Sequence, residues 1–60
     1  MERVIDFALA YGWSDDAAME LERLLTIKNM EAAITLIRAQ DMQAPERQNL
    51  MAMVVLAIVS

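Results

Sequence analysis

The feature that most constrains the fold of this chain is an apolar run at residues 50–59, which reads LMAMVVLAIV. As a helix with about 3.6 residues per turn, the run is apolar on every side. Such a helix needs neighbours all round, because fully burying one Val, Leu, Ile or Met side chain contributes roughly 1.5–3 kcal/mol. The run therefore predicts a helix enclosed by the rest of its own chain or by other copies of the chain.

The rest of the chain offers little to enclose this helix. A domain of 60 residues buries only about 60% of the surface that its unfolded chain exposes. The absence of Cys and His removes disulfides and the usual zinc ligands, so that a partner subunit is the remaining brace. We therefore expect a homo-oligomer whose interface is formed by the large side chains of the run: Leu50, Met51, Met53, Val54, Val55, Leu56, Ile58 and Val59.

Capping residues and helical periodicity predict an all-α fold, a small bundle of about four short helices in a single domain spanning residues 1–60. Gly12 suits the left-handed end of a first helix, Ser14 and Asn29 suit N-caps, and Pro45 suits the first position of a fourth helix. The helices are expected at about residues 2–11, 15–27, 30–40 and 45–59.

The spacing of apolar residues predicts which face of each helix is buried. The buried side chains expected in the first helix are Val4, Ile5, Ala8, Leu9 and Tyr11. Those expected in the second are Ala17, Leu21, Leu24 and the stem of Lys28, with Glu20 and Arg23 paired on its outer face. Those expected in the third are Met30, Ala33, Ile34 and Ile37.

The β-branched residues within residues 53–59 leave a strand as the alternative for the end of the chain. A strand needs the edge of a partner strand, and no other segment of the sequence has that pattern. The helix is therefore the favoured interpretation.

The charge of the chain argues against two classes of partner. A net charge of −4 is opposite to the basic surface that binds nucleic acid or anionic membranes. The apolar run is also shorter than the ~20 residues that a membrane-spanning helix needs. We expect a cytoplasmic protein that binds neither. A helix-turn-helix protein and a membrane-active peptide remain alternatives, and both are weakened by the few basic residues.

The sequence offers no constellation of residues for catalysis. Asp16 and Glu20 share a helix face at i, i+4, but lack the inward-facing partners of a dicarboxylate metal site. Ser14 has no base placed to activate it, and a single glycine excludes a phosphate-binding loop. We expect no enzyme activity, no metal and no cofactor. A small-molecule ligand is not expected either, although a pocket between subunits would leave no motif.

Residues 11–38 resemble the three-helix ubiquitin-associated module. The segment Tyr11-Gly12-Trp13 is similar to that family's Met-Gly-Phe/Tyr loop, and Asn29-Met30-Glu31-Ala32-Ala33 is similar to its Asn-Val-Glu-Ala-Ala opening of helix three. Leu36 and Ile37 would be the paired aliphatic residues near the end of that helix. The resemblance implies a module that binds ubiquitin or another protein through Tyr11, Gly12, Trp13, Leu36 and Ile37.

Two functional interpretations follow. The first is a small acidic interaction, scaffold or regulatory module that self-associates through its C-terminal apolar helix and binds another protein. The alternative is a monomeric ubiquitin-associated-like module with Trp13, Leu36 and Ile37 exposed.

Overall fold

The computed structural model describes residues 3–60 and confirms the all-α prediction. Its helices are α1 (Val4–Ala10), α2 (Asp15–Thr26), α3 (Met30–Ala39) and α4 (Ala44–Val59). Each helix begins and ends within two residues of the predicted bounds, and Glu2 lies outside the described residues. Residues 53–59 are helical and residues 3–60 contain no strand, so the strand alternative is wrong.

Local side-chain and backbone hydrogen bonds explain where α1 ends and where α2 and α3 begin. The Ser14 hydroxyl accepts a hydrogen bond from the Ala17 amide at 3.2 Å, and the Asn29 side-chain oxygen accepts one from the Ala32 amide at 3.1 Å. Both bonds satisfy amides that have no partner within the helix. Gly12 adopts a φ of 93°, as its place after α1 predicts.

The end of α2 differs from the prediction at Lys28. This residue has a φ of 58° and its amide donates to the Leu25 carbonyl at 3.1 Å, while the Asn29 amide donates to the Leu24 carbonyl at 2.9 Å. This pair of bonds is a Schellman motif, which turns the chain out of the helix. Lys28 is therefore exposed beyond the end of α2, and the prediction that its stem lies in the buried stripe is wrong.

The core lies between the four helices, and α4 packs against each of the other three. Leu9 is exposed, so the prediction that it is buried in α1 is wrong. Because α4 begins at Ala44, Pro45 occupies its second position and not the predicted first. The buried side chains are Ile5, Ala8, Trp13, Ala18, Leu21, Leu24, Ala33, Ile37, Leu50 and Val54.

Polar contacts at its N-terminal end fix α4 against its neighbours. The Asn49 side-chain amide donates to the Tyr11 hydroxyl at 2.6 Å, which ties α4 to the end of α1. The Arg47 guanidinium donates to the Gln40 carbonyl at 2.9 Å, where the negative end of the α3 dipole lies. The Trp13 indole donates to the Met42 sulfur at 3.3 Å and so ties the α3–α4 connection to the core. These contacts set which face of α4 is turned inward.

Candidate functional site

The inner face of α4 belongs to the core of its own chain. Leu50 and Val54, one helical turn apart, are both fully buried. Met51, Met53 and Ile58 lie beside them, half-buried and packed against the core. Leu50 and Val54 were predicted to face another subunit, but in this fold their own chain already encloses them.

The outer face of α4 carries a continuous apolar strip that the rest of residues 3–60 leaves partly exposed. It consists of Ala52, Val55, Leu56 and Val59, which we call the α4 stripe. Val55, Leu56 and Val59 are 37%, 65% and 68% exposed, and Ala52 is exposed as well. The spacing i, i+3, i+4, i+7 places the four side chains on one side of the helix. Three residues of the predicted interface therefore lie where a partner can reach them.

The outer faces of α2 and α3 are mostly polar, and the shorter α1 exposes Leu9 and Ala10 beside Asp6. Glu31, Thr35 and Arg38 face water on α3, as predicted. On α2, Met19 is a single apolar side chain, 63% exposed, on a face that also carries Asp15 and Asp16. Isolated apolar residues of this kind are normal on protein surfaces, whereas contiguous apolar patches mark interaction sites. The α4 stripe is therefore the surface that needs an explanation.

A second surface feature, which the sequence did not reveal, is an open groove between α2 and α3. Its volume is about 860 Å³, and we call it the α2–α3 groove. Leu24, Ile27 and Leu36 give it an apolar floor, and Ile27 is 56% exposed. The groove depends on the distance between two helices, which periodicity within each helix does not predict. The remaining lining residues are Glu20, Arg23, Asn29, Glu31, Ala32, Thr35 and Ala39.

The predicted Glu20–Arg23 pair lies at the edge of this groove. The Arg23 guanidinium donates to both carboxylate oxygens of Glu20, at 2.9 and 2.7 Å. These bonds, together with the charge of Arg23, hold the pKa of Glu20 below its usual value and raise that of Arg23. The pair neutralises itself at the edge and leaves Glu31 as the unbalanced charge among the lining residues.

The structure does not bring the five residues of the ubiquitin-associated resemblance together as an exposed surface. Trp13 is 7% exposed and Ile37 is fully buried, so the exposure expected for them in the monomeric alternative is wrong. Tyr11 is half-buried and bonded to Asn49, and Gly12 is exposed. Leu36, also half-buried, lines the α2–α3 groove. The binding role of these residues stays a prediction.

Residues 3–60 contain no group of three acidic side chains placed to hold a metal ion. Asp16 is exposed, and Glu20, which shares its helix face, is bonded to Arg23. None of the helices within the described range is long and apolar enough to cross a membrane.

The fold and the α4 stripe together define a class: a small four-helix protein with one uncovered apolar helix face. Comparison with protein-family models, curated proteins and solved structures gives no match. The function is therefore inferred from the surface of the molecule.

Proposed function

We propose that this chain is a small protein–protein interaction module that self-associates through the α4 stripe. The observation that carries the proposal is the exposure of four neighbouring apolar residues, Ala52, Val55, Leu56 and Val59, on a helix whose opposite face buries Leu50 and Val54. A second copy of the chain is the occupant that we propose. In this role the module holds copies of itself together, as a scaffold or as a regulator that covers another protein.

The charge distribution supports a second copy as the partner. The chain carries a net charge of −4, and two acidic proteins repel each other wherever their charged faces meet. Residues 48–60 contain no ionisable side chain. The α4 stripe is therefore a part of the surface on which two copies approach with little side-chain repulsion.

The energy available from the stripe indicates a weak complex. Burying the exposed parts of Val55, Leu56 and Val59 in two copies contributes about 5–10 kcal/mol. Association costs about 4–15 kcal/mol in lost translational and rotational freedom. The most favourable combination of these ranges is about −6 kcal/mol, so the expected dissociation constant is on the order of tens of micromolar or weaker, unless the interface includes surface beyond the stripe.

Sedimentation of two matched variants tests the proposal. Leu56→Glu places a charge on the stripe, whereas Met19→Glu makes the same kind of change at a residue of nearly equal exposure on α2 (65% and 63%). We expect the parent chain and Met19→Glu to sediment above the 6.8 kDa monomer as concentration rises, and Leu56→Glu to stay monomeric. A parent chain that remains monomeric up to about 1 mM, the concentration that matches a binding free energy of about −4 kcal/mol, would overturn the proposal.

A further inference from the structure

We infer that the surface that receives the α4 stripe is the α2–α3 groove of a second copy of this chain. The inference rests on the proposed function, because it identifies the other half of the same contact. In this interface two different surfaces meet: α4 of one copy lies between α2 and α3 of the next copy.

The stripe and the groove have the same length. The stripe runs over residues 52–59. One side of the groove is lined by residues within 20–27, along α2 and its C-cap Ile27, and the other side largely by residues within 32–39 of α3. Each set repeats the spacing i, i+3, i+4, i+7, which extends over about 10.5 Å of helix. The stripe therefore matches both sides of the groove in length.

The apolar side chains of the groove favour it over a second stripe as the receiving surface. The exposed parts of Val55, Leu56 and Val59 amount to about 100–200 Å² in each copy. A stable interface buries about 800 Å² per partner, roughly a fifth of the 4041 Å² surface of this chain. A stripe that lies against a second stripe contacts one helix of the partner copy, whereas a stripe in the groove contacts two helices and also covers the exposed Ile27. The groove therefore adds the apolar side chains of Leu24, Ile27 and Leu36 to the contact.

The charges of the groove are compatible with an apolar helix, because two of them are paired and the third, Glu31, is exposed to solvent. Glu20 and Arg23 form a salt bridge of 2.7 Å at the edge of the groove. A helix that covers the apolar floor therefore leaves neither charge without its partner. Side chains on the α3 wall are small at Ala32 and Ala39, which leaves room for the branched residues of the stripe.

Mixing two defective variants distinguishes this interface from one formed by two stripes. Leu56→Glu damages the stripe and keeps the groove, whereas Ala39→Arg fills the groove and keeps the stripe. Both positions are exposed and both new residues favour helix, and the cation of Ala39→Arg suits the end of α3. We expect each variant alone to be monomeric in sedimentation, and their equimolar mixture to form a heterodimer of one copy of each.

The controls separate a failure of this inference from a failure of the proposed function. If the parent chain self-associates and the mixture stays monomeric, the stripe binds elsewhere and the inference is overturned, while the proposed function stands. If Ala39→Arg associates as the parent chain does, the groove is not the receiving surface. If the parent chain itself is monomeric, both proposals fail. Thr35→Arg, at an exposed position on the same wall, repeats the test, and circular dichroism checks the fold of each variant.

Discussion

The two leucines of α4 provide a sharp test of the structure, because they share a helix and differ in burial. Leu50 is fully buried, whereas Leu56 is 65% exposed. Truncating a buried leucine to alanine costs about 2–5 kcal/mol, since it removes packed atoms and leaves a cavity. The free energy of unfolding of a domain this small is about 3–9 kcal/mol. We therefore expect Leu50→Ala to lose much of the stability, and its melting temperature to fall by at least about 8 °C.

Leu56→Ala is the matched control. About a third of this side chain is covered within the chain, so its truncation should lower the free energy of unfolding by only about 0.5–1 kcal/mol. Trp13 is the only tryptophan and is buried, so its fluorescence reports unfolding in urea. The titrations are made at concentrations dilute enough for the chain to be monomeric. Equal losses of stability in the two variants would refute the assignment of an inner and an outer face to α4.

Two further predictions concern the ends and the surface of α2. Lys28 has a φ of 58°, a conformation that costs a residue with a Cβ atom about 1–2 kcal/mol and costs glycine little. We therefore expect the free energy of unfolding of Lys28→Gly to exceed that of Lys28→Ala by about 1 kcal/mol, as measured by thermal melting. The hydrogen bonds from Arg23 lower the pKa of Glu20 from its ordinary value of 4.5. The pair therefore stabilises the fold at a pH above 4.5. This stabilisation is lost as the pH falls through the lowered pKa of Glu20, where its carboxylate becomes protonated. Urea titrations at pH 7 and pH 2.5 should therefore show Glu20→Gln less stable than the parent chain at the higher pH alone; an equal difference at both would contradict this.

The helix boundaries were predictable from the sequence because short-range interactions fix them. Ser14 and Asn29 bond amides three residues ahead, and Gly12 takes a backbone conformation that residues with a Cβ rarely adopt. Such signals act within a single turn, so they can be recognised without knowing the tertiary structure. Lys28 shows the limit of this reasoning. Its position after α2 requires a left-handed backbone conformation, but a lysine in a sequence does not indicate such a conformation, as a glycine does.

The orientation of α4 was not predictable, because both of its faces are apolar. A helix with polar residues on one side shows which side is inward, and residues 50–59 give no such contrast. The inner face is selected by contacts made elsewhere, including the bonds of Arg47 and Asn49 to Gln40 and Tyr11. The sequence therefore identified α4 as the helix with the most apolar surface but not which of its residues are exposed. Ala52 was also missed, since its small side chain gives little hydrophobic signal.

The sequence of the outer face of α4 supports the proposal that the stripe has a partner. Its upstream part carries Gln48, a polar residue exposed to water, whereas from Ala52 onward every residue of this face is apolar. A glutamine or lysine in place of Leu56 would cost the monomer about 1 kcal/mol or less and would remove the apolar patch. Because the core does not require apolar residues there, the folded monomer alone does not account for the stripe. The self-association that we propose accounts for it, and the α2–α3 groove of a second copy has the length and the apolar side chains that this proposal requires.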